Sequence, residues 1–291
     1  MSVESLHAVP RLRGRAVDTR SATLRAIYMI WRRDLIRFWR DRVRVVGALA
    51  QPLLFLVILG TGLSSALGGA GGGFRAGLDY QTFMYPGIIG MAVLFSSIFS
   101  GMSIIWDREF GFLKEVLVAP IDRSAVAVGK TLGGATQASL QGLVLLVLAP
   151  FVGIELNPLM VLELIGLIFC LSLALSAVGV TLAARMRSMM GFQFVLNFLV
   201  QPAFFLSGAL FPVTGLPAWM TALTRVDPLS YGVDPIRRVV LEGSGVPAPV
   251  VDQLSMTLAG QVVPIWLEVA IMLVFGLVLM SIAVVNFRHQ D

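Results

Sequence analysis

Long apolar runs separated by short polar stretches organise this chain. Six runs approach the length of about 20 residues that a helix needs to cross a hydrocarbon core of about 30 Å. They lie near 45–66, 83–106, 131–153, 161–184, 191–212 and 262–286. A backbone in lipid must satisfy its own polar groups, and runs this long exceed barrel strands, so each predicts a transmembrane helix. The expected fold is an all-α membrane protein with six transmembrane helices filling one domain over 45–291, behind a disordered basic tail over 1–22 and an amphipathic helix over 23–44.

The 23–44 stretch, TLRAIYMIWRRDLIRFWRDRVR, repeats its apolar residues at helical spacing. Leu24, Ile27, Ile30, Trp31, Leu35, Phe38 and Trp39 form one stripe, and Arg25, Arg32, Arg33, Arg37 and Arg40 occupy much of the rest. Trp and Arg both favour the headgroup layer, so an interfacial helix is expected there, able to press laterally on the bundle. A solvated helix packed on a soluble partner is the alternative. A second amphipathic pattern falls between the second and third runs, in DREFGFLKEVLVAP. Phe110, Leu113 and Leu117 make a ridge with Phe112 and Val116 beside it, Arg108, Lys114 and Glu115 lie opposite, and Pro120 ends it. Such a helix suits a groove on another protein, or it rests on the protein's own membrane domain.

Composition agrees with the pattern. Of 291 residues, 57% are hydrophobic and 13% charged, against about a quarter charged in soluble domains. Lysine and arginine fix the orientation, because cytoplasmic flanks carry the excess. Eighteen fall before residue 45 or in 107–130, 185–190 and at 288, and only four (Arg75, Arg225, Arg237 and Arg238) on the other face. Both termini are therefore expected in the cytoplasm. The formal charge of +5 is met by anionic headgroups and needs no nucleic acid. The basic N-terminal part is too long for a cleaved signal. A single cysteine, Cys170, excludes an internal disulfide or cysteine-cluster metal site, and it reads as a small packed hydrophobe.

Candidate chemistry is sparse. The Gly129-Lys130-Thr131 triplet has the ending of a phosphate loop, but Ser124 stands where its first glycine belongs and Thr131 opens a membrane helix, so no nucleotide site is expected. The glycine-rich 66–77 stretch reads as an external linker without the following Lys-Ser or Lys-Thr. Both histidines, His7 and His289, lie in the tails, and no catalytic or metal constellation accompanies them. Gln51-Pro52 and Gln201-Pro202 interrupt the first and fifth runs, with Asn197 one turn before Gln201. Proline frees a carbonyl that an amide can satisfy, so Gln51, Asn197 and Gln201 are the candidate pathway residues, with helix–helix glue as the alternative. Gln137 and Gln141 repeat the spacing in the third run. Glu163 and Glu268 are expected near the headgroups, and no chain of titratable groups crosses the bilayer, which argues against a proton- or sodium-coupled transporter. Between the fifth and sixth runs, LPAWMTALTRV and DPIRRVVLEG read as short apolar helices with Pro217 and Pro235 early and Gly243 as a stop; they dip back into the outer leaflet or pack as a small cap. The 185–191 loop, RMRSMMG, carries topology anchors.

Two of these stretches resemble a known family. DREFGFLKEVLVAPIDR is similar to the signature of the type-2 permeases of ATP-binding cassette (ABC) exporters, and FPVTGLPAWMTALTRVDPLSYGVDPIRRVVLEG resembles the family's closing region. The resemblance covers essentially the whole chain. It implies a non-catalytic half-transporter that pairs with a second permease copy in the inner (cytoplasmic) membrane. It further implies that separate nucleotide-binding ATPase subunits hold ATP and Mg, and that this chain binds no cofactor itself. By that likeness Asp107, Arg108, Glu109, Phe110, Gly111, Leu113, Lys114, Glu115, Pro120 and Arg123 belong to a coupling helix entering the ATPase subunit. Trp219, Asp227, Pro228 and Tyr231 become candidates for an external gate. An apolar pathway suits a hydrophobic drug or lipid-like cargo; polysaccharide or glycolipid export is the alternative.

Overall fold

The computed structural model describes residues 19–68, 78–110, 122–186, 188–258 and 260–288. Helix α1 (Thr19–Arg40) is followed, after Asp41, by α2 (Arg42–Leu54), a π-helical stretch at Phe55–Gly60 and α3 (Thr61–Gly68). The tail expected over 1–22 is thus helical from Thr19. Pro52 stays inside α2, and the π stretch begins three residues after it, where one turn must absorb the missing amide. The second run forms α4 (Tyr80–Ser100) and α5 (Met102–Glu109), joined at Gly101. There follow α6 (Arg123–Val147), α7 (Pro158–Arg185), α8 (Met189–Leu206), α9 (Ala218–Val226), α10 (Ser230–Gly243), α11 (Ala248–Leu254) and α12 (Ile265–Arg288). An unexpected two-residue hairpin pairs Thr257–Leu258 with Gln261–Val262, turning at Gly260 with φ of 80°.

Five helical segments among the described residues are long and apolar enough to cross a membrane: Val45–Ala66, Tyr80–Glu109, Pro158–Arg185, Met189–Leu206 and Ile265–Phe287. The third expected span coincides with α6, which has the length but not the apolar composition. Its surface explains why. Helix α6 is enclosed by α1, α4, α7 and α12, and Gly129, Gly133, Gly134, Gly142, Gln137, Gln141 and Lys130 are buried along it. A helix wrapped by other helices has little surface to present to lipid, so its composition follows packing.

Small residues set the closest crossings. A Cβ built on Gly101 would lie 2.4 Å from the Gly179 carbonyl oxygen, and one on Gly179 would lie 2.7 Å from that of Ile98. Gly179→Ala is therefore expected to lower stability by about 1–3 kcal/mol through overpacking, read as a fall in the thermal midpoint of the detergent-solubilised protein. An unchanged midpoint would mean that α4 and α7 do not meet at this distance.

The region between the fifth and sixth apolar runs departs most from expectation. Pro235 does not open a helix; it lies inside α10, which starts at Ser230, although Gly243 does end it. Every residue of α10 from Ser230 to Leu241 is buried, against α4, α7 and α12. Arg237 and Arg238 are consequently inside the protein rather than on its outer surface, and they say nothing about topology.

Candidate functional site

Helix α1 lies on the first half of α6 because α6 offers it a glycine face. Ile30 sits over Gly129 and Asp34 over Gly133, each where a Cβ would come within 3.3 Å. Trp31 Nε1 donates to Thr136 Oγ1 at 3.0 Å, and Gln137 Nε2 to the Asp34 carbonyl at 3.2 Å. This brings Asp34 into the protein beside Lys130, which is 3% exposed. Lys130 Nζ contacts Asp34 Oδ2 at 3.0 Å, Asp107 Oδ2 at 2.7 Å and Ser103 Oγ at 3.0 Å. Arg33 reaches the same Asp107 oxygen at 2.6 Å, and Arg37 lies 3.6 Å from the other while covering the Trp106 ring. Three segments far apart in sequence thus share one buried ion network. Lys130, the lysine of the Gly-Lys-Thr triplet, is consumed by it.

The expected coupling residues separate into two groups. Asp107 is buried in the network, and Arg108 turns back to donate to the Met186 and Ala184 carbonyls, bracing the 185–191 turn. That turn also receives Trp106, whose Nε1 contacts Met189 Sδ at 2.9 Å. Glu109 and Phe110 face outward, with Phe110 78% exposed. Gly111, Leu113, Lys114, Glu115 and Pro120 lie outside the described residues. Arg123 opens α6 behind Asp122, whose Oδ1 accepts the Ser124 amide at 2.9 Å.

Beyond the network lies a cavity of about 360 Å³, lined by Phe38, Gly47, Ala48, Gln51, Pro52, Phe95, Ser96, Phe99, Met102, Trp106, Gln137 and Gln141. Three glutamines share this lining. Gln51 joins Gln137 and Gln141 of α6, whereas Asn197 is exposed and Gln201 half-buried on α8, outside this lining. The first and fifth spans do touch, through Phe55 and Phe204 at 6.3 Å between ring centroids.

Among the expected gate residues, Trp219 is 65% exposed on α9, whereas Asp227 is buried, Pro228 half-buried, and Tyr231 donates to the Arg225 carbonyl at 2.8 Å. Asp227 Oδ1 accepts the Leu229 amide at 3.0 Å, yet burial outweighs that bond and pushes its carboxyl up to about 7. Behind it, Arg237 donates to the Gly208 carbonyl, at a left-handed turn with φ of 74°, and stacks 4.3 Å over Phe83. Glu268 is not among headgroups but fully buried, because α10 carries Arg238 to it. Arg238 bonds Asp234 Oδ2 at 2.7 Å, Glu268 Oε1 at 3.3 Å and the Val263 carbonyl at 2.6 Å. Glu163 is exposed, and Cys170 is half-buried on α7.

The family model for ABC-2 type transporters matches residues 25–241, from α1 through most of α10. Transport permease ycf38 of Cyanophora paradoxa is 27% identical over 219 residues, covering 74% of this chain and 73% of its own length. Nodulation protein J of Rhizobium leguminosarum bv. trifolii is 29% identical over 215 residues, covering 73% of this chain and 80% of its own. Nodulation protein J of Neorhizobium galegae is 28% identical over 229 residues, with 76% and 82% covered.

Proposed function

The chain belongs to the ABC-2 type transporter family, and on that premise we propose that two copies form the pathway of an ATP-driven exporter, coupled to the ATPase through residues 107–120. As a member it is a non-catalytic, multi-pass transport subunit, with ATP hydrolysis residing in partner proteins. In the proposed topology six spans, α6 being the third, leave both termini in the cytoplasm of a cell whose inner membrane holds the complex. Residues 213–261 then face outward, and α1 rests at the inner leaflet.

The observation that carries the coupling role is the buried network. Asp107 opens the proposed coupling segment and Lys130 follows it, and the two are joined at 2.7 Å and tied to α1 through Asp34 and Arg33. A displacement of the segment between them cannot move one flank alone, because separating buried charges costs several kcal/mol. It must carry α1, α5 and α6 together. ATP binding closes the partner subunits and draws the segment with them, the permease pair rearranges along its first and fifth spans, and cargo leaves on the outer side. The outward Glu109 and Phe110 are the described residues best placed to touch the ATPase, while Asp107 and Arg108 hold the segment's base. Cavity walls that are aromatic and uncharged favour a hydrophobic drug or lipid-like cargo over a polysaccharide.

The test is co-purification of tagged permease from its native membrane in mild detergent, with ATP hydrolysis assayed in the co-purifying proteins. A stoichiometric soluble ATPase is expected, and the Glu109→Lys, Glu115→Lys double variant should lose most of it while inserting normally. A permease recovered alone that moves solute under an ion gradient would overturn the reading.

A further inference from the structure

We propose that the cavity between α1, α2, α4, α5 and α6 is a binding site within the single chain for a neutral amphiphile, one with an aromatic or acyl body and an uncharged hydrogen-bond-donating head such as a hydroxyl or an arylamine N–H. The inference deepens the exporter reading by assigning a cargo class to one protomer.

At about 360 Å³ the cavity falls within the range of small-molecule sites. Its body is apolar. Phe95 and Phe99 stack along one wall with centroids 6.4 Å apart, and Met102, Trp106 and Phe38 continue it. Gly47 and Ala48 leave the α2 side open, and a Cβ on Gly47 would meet nothing within 4 Å. Gln51, on the same helix, is exposed, so the opening lies beside α2, whose span is among the least covered of the bundle.

The polar end specifies the head group. Gln137 is engaged, its Nε2 donating to the Asp34 carbonyl. Gln141 is 3% exposed, and its Oε1 has no hydrogen-bond partner. A buried acceptor left unmet costs about 1–3 kcal/mol, and a donor on the ligand removes that penalty. Charge excludes the other classes. Among the described residues no cation and no carboxylate lines the cavity; the nearby Lys130, Arg33 and Arg37 are paired with Asp34 and Asp107. A phosphate or carboxylate head would enter without a counter-ion, as would an ammonium. The site therefore takes a head that donates without being charged.

The test uses the full-length permease in nanodiscs, without its ATPase, and N-phenyl-1-naphthylamine as probe, a neutral aromatic amphiphile with one N–H. Energy transfer from tryptophan to the probe reports binding. Saturable transfer is expected. Gln141→Leu should weaken it about fivefold, the loss of one hydrogen bond, and Ala48→Phe, which fills the α2 side without adding a tryptophan donor, should abolish it. The N-methyl analogue, lacking the donor, should bind wild type as weakly as the probe binds Gln141→Leu and be indifferent to that change. Displacement by dioleoylglycerol but not by dioleoyl phosphatidic acid identifies a neutral lipid as the source. Displacement by neither, with Gln141 dependence retained, identifies an aromatic small molecule. Equal transfer in wild type and both variants, or stronger binding of the anionic 8-anilinonaphthalene-1-sulfonate, would overturn the site. Because no ATPase is present, that failure is separate from a failure of the coupling assay.

Discussion

Lys130→Met is expected to loosen α1 from the bundle and to abolish transport-coupled ATP hydrolysis. The methionine fills nearly the same volume, so packing between α1 and α6 is largely kept and the loss is electrostatic. Without the ammonium, Asp34 and Asp107 remain buried, with Arg33 and Arg37 as the cations left, both partly exposed. Removing one partner from a buried ion network costs about 3–5 kcal/mol, because it leaves uncompensated charge. The thermal midpoint in detergent should fall accordingly. Limited proteolysis should then cut earliest within α1. Adding Asp34→Asn to Lys130→Met removes one of the stranded charges and should restore a substantial part of the stability, as a double-mutant cycle measures. Restored stability without restored coupling would place the network in the transmission of force as well as in folding. Wild-type midpoint and coupling in Lys130→Met would sink the clamp.

The second large effect is expected on the opposite side. Arg238→Met leaves the neighbouring buried carboxyls of Asp234 and Glu268 without their shared guanidinium. A loss of about 3–5 kcal/mol follows from the same argument. It should appear as a low yield of monodisperse protein after extraction. Glu268→Gln in the Arg238→Met background should recover part of it, since an amide carries no charge to strand. The damage is local to α10, the hairpin and the start of α12, so whatever protein survives extraction should still retain the ATPase. Loss of ATPase retention at wild-type yield would reverse the assignment of the two sides.

The hydropathy pattern by itself determined the all-α membrane character, five of the spans to within several residues, and the presence of a helix ahead of the first span. These are local properties. Whether a segment can lie in lipid depends on its own composition, and whether a helix has two faces depends on its own period. The family signature was legible for the same reason, since its motifs are contiguous. The 111–121 stretch that carries half of the expected coupling residues lies outside the described residues, so the assignment of those residues remains a proposal. What only the tertiary structure decided are the partnerships. Lys130 meets Asp34 across 96 positions, because α6 presents glycines where α1 must approach. Gln51 lines one cavity with Gln137 and Gln141, because the rotation of each helix is set by its neighbours. Glu268 is buried rather than wet, because α10 folds back to bring it an arginine. Burial of a charge is cheap or prohibitive according to what stands within about 3 Å of it, and no periodicity along one segment reports what another segment will place there.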